Sequence, residues 1–470
     1  MQVRGGSPSV PRAEQADRLM AGGRAGALLL GSDFKALGAV RSLARRGIPT
    51  ALVDNDPRSA WYSRYPLGQH LWTDRMDSPR IVDFLVRLST DRGYLGWMLF
   101  PMQDDAVELV SHFTSELGRS FRLTTPEWSV LQRVQDKRFA HEMADRVGVS
   151  RPRTFYPANA DDLLRLDVEY PVIIKPSLSM PMQRALHCKA LVVHDQAELA
   201  AMYRLAADSV PAELIMVQEL IPGDGRTQFS VAAFCERGEM VAGMAARRTR
   251  QFPYDFGMSS SFVETVDRPD LLQQASRLLR DAGLSGMVEV EFKHDARDGS
   301  DKLLDINVRP WGWHQLCIAA GLDFPYLQYC LTMKEPLPPV APTNGYAWRR
   351  MLTDVPAAMQ EIRAGVTSPA LYLRSYLRRR TVRSVWDLRD PLPALVDPTV
   401  TVIRMTEPRL RAWWKARPKN RGSMLPDPLV NPAGAVQAGL VNPAGLLQEE
   451  LVSPPGILPD TLTPSGIQEG

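Results

Sequence analysis

The sequence predicts a mixed α/β and α+β protein, in which an open α/β domain precedes a domain built on antiparallel strands. The first part of this prediction rests on an apolar strand, a helix and a second strand that succeed one another over residues 25–54. The second part rests on two strand-like segments, Gly286–Asp295 and Lys302–Arg309, on either side of a polar turn that contains Gly299. A Pro/Gly-rich segment, residues 419–470, predicts a disordered C-terminal tail.

Length and composition are those of a soluble protein with several domains. A chain of 470 residues exceeds one hydrophobic core. The apolar fraction of 44%, the charged fraction of 23% and the net charge of +3 give no indication of nucleic-acid binding. The four cysteines lack CxxC spacing, so neither a zinc site nor a disulfide framework is predicted. No apolar run approaches the roughly 20 residues of a membrane span, and no signal peptide is recognisable, so a cytoplasmic location is expected.

The N-terminal part predicts a leader and a βαβ unit. Residues 1–24 are polar and Gly/Pro-rich, which is typical of a disordered leader. Ala25–Gly31 is an apolar strand, Phe34–Arg46 has helical periodicity, and Pro49–Asp54 is the next strand. We therefore expect an open α/β domain over residues 25–125.

Two sets of acidic residues in this domain admit a ligand-binding interpretation. Asp54 ends the second strand, which is the position of the ribose-binding acid in dinucleotide-binding βαβ units. Gly31 and Gly38, however, do not form a GxGxxG fingerprint. A structural βαβ unit is therefore preferred, and a nicotinamide-dependent oxidoreductase is not supported. Asp104 and Asp105 follow another strand end, where ligands of such sheets bind, although capping the next helix is the simpler role.

The middle of the chain alternates helices with apolar strands. Asp136–Gly148 has helical periodicity, and Tyr170–Pro176 is an apolar strand that ends in Lys175. Because lysine is rarely buried without a partner, Lys175 is either a functional cation or a side chain that reaches water from a strand end. Leu214–Arg226 is an apolar strand that breaks into a turn at Pro222.

The predicted hairpin carries a cluster of oxygen ligands. Side chains two residues apart on a strand share a face, so Asp305, Asn307 and Arg309 lie together. Pairing of the two strands would bring Glu291 close to them. Carboxylate and amide oxygens suit Mg²⁺, and the guanidinium of Arg309 suits a phosphate. The alternative is an edge hairpin with a solvated polar face, and spacing alone leaves both interpretations open.

Four motifs occur in a characteristic order: Asp136-Lys137, Ile174-Lys175-Pro176, Gln218–Gly223, and Glu291 followed by Asp305-Ile306-Asn307-Val308-Arg309. Together they resemble the ATP-grasp superfamily of carboxylate–amine ligases, and are similar to the motifs of carbamoyl phosphate synthase and D-alanine–D-alanine ligase. The resemblance covers residues 25–390. It implies a pre-ATP-grasp domain (25–125), an ATP-grasp domain (126–340) with a smaller ATP-binding part (155–230), a basic helical extension (341–418) and the tail (419–470).

The resemblance also implies a set of site residues. The implied ATP ligands are Lys137 and Lys175 for the phosphates, Glu219 with the backbone of Leu220 and Ile221 for adenine, and Gln218, Asp224 and Gln228 for the hinge and ribose. The implied ligands of two Mg²⁺ ions, with Mn²⁺ as the alternative ion, are Glu291, Asp305 and Asn307, with Glu289 as a substitute. The implied catalytic cations are Arg309 and one of Arg247, Arg250 and Arg248. Residues 254–261, Trp311, Trp313 and His314 are candidates for the acceptor pocket, with core packing as the alternative for Trp313 and His314.

The activity implied by the resemblance is ATP-dependent ligation of a small-molecule carboxylate to an amine through an acyl phosphate. The sequence differs from the family pattern at three places: the loop Pro176–Gln183 lacks glycines, Asp305 replaces a glutamate, and Val308 replaces a proline. The alternative hypothesis is a nucleotide-binding protein with a regulatory or scaffolding role and no turnover. A homodimer is left open.

The C-terminal region is basic and then repetitive. Leu371–Val385 contains five arginines among apolar residues and predicts an amphipathic helix. The preferred interpretation is that this helix packs on the ligase domain. The alternative is that it binds an acidic partner or a membrane surface. Arg409–Lys419 admits the same two interpretations. In the tail, an 11-residue repeat places Leu-Val-Asn-Pro-Ala-Gly at 429 and 440 and Leu-Val-Ser-Pro-Pro-Gly at 451. Disorder is the preferred interpretation, and docking to a partner is the alternative.

Overall fold

The computed structural model of the protein describes residues 23–178, 190–254, 259–377 and 380–403. Within these ranges the strands form three sheets, of five, four and seven members. Among the described residues, no helix has both the length and the apolar composition required to cross a membrane. Most of the predicted leader, the segment Arg409–Lys419 and the repeats of the tail lie outside the described residues.

The first sheet is parallel and has the strand order β3-β2-β1-β4-β5. Its strands are β1 (Ala27–Leu30), β2 (Thr50–Asp54), β3 (Gly68–Leu71), β4 (Met98–Pro101) and β5 (Arg122–Leu123). Its helices are α1 (Phe34–Ala44), α2 (Arg80–Asp91), α3 (Asp104–His112) and α4 (Thr114–Leu117). Continuous apolar runs make β1, β2 and β4 fully buried, as expected of parallel strands covered on both faces. The strand order reverses between β1 and β4, so a ligand crevice is expected at their carboxyl ends.

The second sheet is antiparallel, with the order β6-β9-β7-β8. Its strands are β6 (Thr154–Phe155), β7 (Val172–Pro176), β8 (Leu191–Val193) and β9 (Ile215–Glu219). Two helices precede the sheet, α5 (Trp128–Gln135) and α6 (Lys137–Arg146), and α7 (Gln196–Ala207) packs against it. Asp136 caps α6 by accepting a hydrogen bond from the backbone N–H of Arg138 at 2.9 Å.

The third sheet is the largest and has the order β14-β13-β10-β11-β12-β15-β16. Its strands are β10 (Gln228–Glu236), β11 (Glu239–Phe252), β12 (Ser259–Val266), β13 (Gly286–Asp295), β14 (Ser300–Asn307), β15 (Ala347–Arg349) and β16 (Thr381–Arg383). The accompanying helices are α8 (Pro269–Ala282), α9 (His314–Ala319), α10 (Phe324–Met333), α11 (Met351–Arg363), α12 (Pro369–Tyr376) and α13 (392–403). The predicted hairpin is confirmed, because β13 and β14 pair antiparallel around the turn at Gly299.

The structure corrects the prediction for Leu371–Val385. The helix α12 ends at Tyr376, and the following described residues enter β16, which pairs in parallel with β15. The backbone groups at the edge of β15 are satisfied by this pairing, which outweighs the helical periodicity of the side chains. The extension expected from residue 341 therefore contains two strands that continue the seven-stranded sheet, in addition to its helices.

The C-terminal segment returns to the N-terminal domain. Asp390 is almost fully buried and accepts a hydrogen bond from Nε of Arg41 in α1 at 3.0 Å. A single apolar cluster includes Leu37 of α1, Trp348 of β15 and Val385 beyond β16. The first and third sheets are consequently held against each other through a shared core.

Candidate functional site

The centre of the candidate site is the pairing of β13 with β14. The register sets Glu289 opposite Asn307 and Glu291 opposite Asp305. The amide Nδ2 of Asn307 donates to Oε1 of Glu291 at 3.1 Å and to Oε2 of Glu289 at 3.2 Å. Carboxylate and amide oxygens from two strands therefore converge on one face of the sheet, as the alternation in the sequence predicted.

Two lysines from other elements approach this cluster. Lys137, the first residue of α6, is buried, and its Nζ lies 3.3 Å from Oδ1 of Asp305. Lys175, near the end of β7, is half-buried, and its partial removal from water lowers its pKa to about 7. Lys137 lowers that pKa further, whereas the charges of Asp305 and Glu291 oppose the shift. The structure thus brings together residues from α6, the four-stranded sheet and the seven-stranded sheet.

Glu289 is the most deeply buried member of the cluster. Its Oε1 accepts a hydrogen bond from Nε1 of Trp313 at 2.9 Å. Burial, and secondarily the neighbouring Glu291, raise the pKa of Glu289 to about 7. Trp311, Trp313 and His314 are all buried in the core, and burial lowers the pKa of His314 to about 4. Trp313 therefore supports the cluster from within the core.

The arginines of β11 differ in their surroundings. Arg248 donates to Oε2 of Glu291 at 3.3 Å, and Arg247 lies 3.5 Å from Glu264. Arg250 is 5% exposed and is paired with Asp354 at 2.8 Å. The pairing of β11 with β12 is irregular on both sides of Arg250, which turns neighbouring arginines toward different environments. Of these three arginines, Arg248 is the one in contact with a predicted metal ligand.

Arg309 joins the cluster to the N-terminal domain. Its Nη2 donates to Oδ1 of Asn307 at 3.4 Å, and its Nε donates to Asp104 at the start of α3. The charge of Asp104 helps to raise the pKa of Arg309, which stays protonated. Gln103 is the N-cap residue of α3, so Asp104 is a partner of Arg309 and not the cap that the sequence suggested. This bridge, like the contact of Arg248, is not visible in the sequence because its partners are distant in the chain.

The predicted adenine-binding segment follows β9. Gln218 is buried and donates through Nε2 to Oγ1 of Thr154 at 2.8 Å. The carboxylate of Glu219 accepts from Nζ of Lys302 at 2.9 Å and from Arg297 at 2.8 Å. The side chains of Gln218 and Glu219 therefore have structural partners within the protein.

The backbone of this segment is partly engaged as well. The N–H of Leu220 donates to the carbonyl of Pro171 at 3.3 Å, and Ile221 is 4% exposed. Asp224 caps a short 3₁₀ turn and pairs with Arg226 at 2.6 Å. Gln228 instead reaches the central cluster, since its Nε2 donates to Oε2 of Glu291 at 2.9 Å.

The donor set fits a magnesium ion that is shared with a nucleotide. Among the described residues, no group of three or more His, Cys, Asp or Glu side chains is arranged to hold a metal by itself. The cluster offers the carboxylates of Glu291 and Asp305 and the amide oxygen of Asn307. Mg²⁺ in phosphate-binding sites commonly uses one or two carboxylates and completes its shell with water and phosphate oxygens.

Charged side chains that follow β1 lie close to Arg309 and Asp104. Lys35 donates through Nζ to the carbonyl of Met102 at 2.7 Å and lies 3.4 Å from Asp33. Burial lowers the pKa of Lys35, and the positive charge of Arg309 acts in the same direction. Asp54, in contrast, is buried and accepts from Oγ of Ser32 at 2.6 Å, which is a structural role. The sequence motifs did not indicate Lys35.

Comparisons with known proteins agree on the type of fold. Residues 212–352 match a protein family described as ATP-grasp in the biosynthetic pathway with Ter operon. D-aspartate ligase of Enterococcus faecium is 24% identical to this chain over 298 residues, which covers 60% of this chain and 70% of that protein.

Two solved structures extend the comparison. The biotin carboxylase domain of Hydrogenobacter thermophilus 2-oxoglutarate carboxylase, determined with MgADP, has a TM-score of 0.57 at 14% identity and covers 68% of this chain and 73% of that one. The L-amino acid ligase of Bacillus licheniformis has a TM-score of 0.52 at 12% identity and covers 69% of this chain and 78% of that one. At such identities the structural likeness establishes the fold.

Proposed function

We propose that this chain, which belongs to the ATP-grasp superfamily, is an ATP-dependent ligase that joins a carboxylate to an amine through an acyl phosphate. The observation that carries the proposal is the convergence of Lys137 and Lys175 on the cluster of Glu291, Asp305 and Asn307. The names of the two similar ligases support the reaction class, and the MgADP bound to the biotin carboxylase domain supports the choice of cofactor.

Each group of side chains has a defined task in this proposal. Lys137 and Lys175 hold the inner phosphates of ATP, and Glu291, Asp305 and Asn307 would hold Mg²⁺ against the outer ones. Magnesium held there would supply positive charge to offset that of the transferring phosphoryl group. Arg248 and Arg309 lie beside these ligands and add positive charge where the acyl phosphate forms.

The position of Arg309 suggests where the carboxylate substrate binds. Its partner Asp104 lies just beyond β4, at the crevice between β1 and β4. Ligands of open α/β sheets bind in such crevices. We assign this crevice, which Lys35 lines, to the carboxylate substrate. Arg309 then lies between this carboxylate and the terminal phosphate of ATP. An amine entering the same space attacks the acyl phosphate and releases inorganic phosphate.

A screen of ADP release tests the proposal. The purified protein is incubated with MgATP and pools of amino acids and small carboxylic acids. ATP binding without ADP release on any pool would favour the alternative, a regulatory nucleotide-binding protein. A homodimer and a cytoplasmic location are parts of the proposal that gel filtration and fractionation would test.

Substitution of the metal ligands tests the assignment of residues. Asp305→Asn and Asn307→Ala should each lower ADP release by about 100-fold or more, since charge neutralisation of several kcal/mol is lost in the transition state. Thermal unfolding should show that both variants remain folded. The control is Glu239→Gln on β11 of the same sheet, which removes an exposed ion pair with Arg280 of α8 and should leave turnover unchanged. Unchanged turnover in both cluster variants would contradict the metal assignment.

A further inference from the structure

We propose that the C-terminal tail, residues 422–470, docks on an exposed apolar patch formed by α11 and α12 of the same chain. The inference is independent of the proposed reaction. The patch, called the α11–α12 patch below, consists of Met351, Val355, Met359, Leu373, Tyr376 and Leu377.

The patch is continuous across the two helices. Met351, Val355 and Met359 are spaced by four residues along α11 and therefore form one stripe. Leu373 and Leu377 have the same spacing at the end of α12. The two helices meet where Oη of Tyr376 lies 3.7 Å from Sδ of Met351. All six side chains are between 39% and 78% exposed. Single exposed apolar residues are ordinary, but an adjacent group of this size marks an interaction site.

The segment that contains the patch is positively charged. Residues 351–383 contain six arginines and only two acidic residues. Both acids are withdrawn into ion pairs, Asp354 with Arg250 at 2.8 Å and Glu361 with Arg226 at 3.1 Å, and both are buried. Among the described residues of this window, the exposed charged side chains are arginines: Arg363, Arg374, Arg380 and Arg383. An occupant that is apolar and acidic is therefore favoured.

The tail has this composition. Residues 422–470 contain five acidic residues and no Lys, Arg or His. Their 11-residue repeat presents the pairs Leu429-Val430, Leu440-Val441 and Leu451-Val452, each followed by a Pro/Gly turn sequence. Each repeat can thus offer two adjacent apolar side chains, and the three copies compete for one patch. The apolar character and the charge of the tail are complementary to those of the α11–α12 patch.

The point of attachment brings the tail near the patch. In α13, near the end of the described chain, Asp397 lies 3.5 Å from Arg350, the residue that precedes α11. Residues 404–421 separate α13 from the tail and can span about 60 Å when extended. Tethering at this range gives an effective concentration on the order of millimolar, so weak individual contacts suffice for docking.

Hydrogen exchange on the full-length protein tests the proposal. The tail variant Leu429→Glu/Leu440→Glu/Leu451→Glu should raise amide exchange in α11 and α12 by about tenfold, because a tail docked roughly nine-tenths of the time protects them to that extent. Exchange in β13 and β14 should not change. The matched control, Gln437→Glu/Gln448→Glu, adds charge to the tail while keeping the apolar pairs, and should preserve most of the protection.

A cross-link identifies the occupant directly. A photoreactive p-benzoylphenylalanine at position 446 of the full chain should label peptides of α11 or α12, and Leu373→Glu/Leu377→Glu should abolish the labelling. In a mixture of light and heavy isotope-labelled protein, the cross-links should stay within one chain. Cross-links between chains would assign the patch to a second copy and overturn the proposal. Protection seen only with phosphatidylserine vesicles, or equal exchange in the tail variant and the wild type, would overturn it as well.

Discussion

At the scale of single residues, Lys175 shows how burial prepares a side chain for a charged ligand. It lies near the end of a strand whose neighbours Ile174 and Pro176 are buried, and Lys137 is close by. Removal from water and the second lysine both disfavour its protonated form, which lowers its pKa to about 7 from an ordinary value of 10.5. A bound polyphosphate supplies the negative charge that reverses this shift. If Lys175 binds phosphate as proposed, we therefore expect nucleotide binding near neutral pH to be coupled to uptake of a proton.

The pH dependence of ATP affinity should report this coupling. Affinity should fall as the pH rises from 6.5 to about 8.5, because Lys175 loses its proton in the free protein. Lys175→Arg should flatten the profile, since a guanidinium stays charged throughout. Calorimetry in buffers of different ionisation enthalpy measures the proton uptake directly. An unchanged profile in this variant, with exposed Lys334→Arg as the control, would show that another group titrates.

The same shift has a consequence for the stability of the nucleotide-free protein. The pKa of Lys175 is lower in the folded state than in the unfolded state, so the unfolded chain binds more protons between about pH 7 and 10.5. The contribution of Lys175 to the free energy of unfolding therefore increases as the pH rises through this window.

At the scale of elements, the β13–β14 hairpin holds the segment that follows β9. Lys302 and Arg297 bind Glu219 at one end of this segment, and Lys293 donates to the carbonyl of Gly223 at the other end, at 2.8 Å. Asp295 is fully buried among these cations, and hydrogen bonds from Arg297 and Lys302 hold its pKa well below the usual range. The hairpin thus carries the proposed metal ligands near the end of β14 and, from its turn, holds the segment to which adenine binding is assigned in the proposed function.

Loss of one cation from the hairpin should weaken nucleotide binding without affecting chemistry. Lys302→Met removes the cation that Glu219 shares with the buried Asp295, so the free energy of unfolding should fall as well. Loss of the charge-assisted hydrogen bond to Glu219, worth about 1.5 kcal/mol, should raise the Kd for MgATP about tenfold in the folded protein. The kcat at saturating ATP should remain within about twofold, because no group that contacts the transferred phosphate changes. Equilibrium binding and steady-state kinetics measure the two effects. Arg280→Met is the control, because Arg280 of α8 pairs with Glu239 at an exposed position. A loss of kcat in Lys302→Met as large as the loss of affinity would place Lys302 in the reaction.

At the scale of the whole molecule, Asp390 links the C-terminal segment to the N-terminal domain. This carboxylate accepts hydrogen bonds from Arg41 of α1, from Oγ of Ser63 at 2.8 Å and from the N–H of Arg64 at 3.0 Å. The C-terminal segment thereby fixes the N-terminal domain against the seven-stranded sheet. The contact of Arg309 with Asp104 requires this domain arrangement.

Removal of this contact should destabilise the protein strongly. Asp390→Ala leaves the buried guanidinium of Arg41 without its carboxylate, which should lower the free energy of unfolding by about 3–5 kcal/mol. Asp387→Ala, three residues away, breaks the more exposed pair with Arg45 and should cost about 1 kcal/mol or less. Urea denaturation distinguishes the two. Similar small losses in both variants would show that Asp390 does not link the domains.

What the sequence determined by itself was local. Alternation of polar and apolar residues predicted β13 and β14, and it predicted that Asp305 and Asn307 share a face. The register set by the turn at Gly299 would place Leu304 opposite Glu291, and a register shift between Glu291 and Phe292 places Asp305 there instead. Tertiary structure decided the rest, because it depends on partners far apart in the chain. The irregular pairing beside Arg250 selected Arg248 as the arginine beside Glu291, and edge pairing with β15 turned part of an apparent helix into β16. The salt bridge from Arg309 to Asp104 joins the seven-stranded sheet to the N-terminal domain, and no spacing along the chain predicts that these two parts pack together.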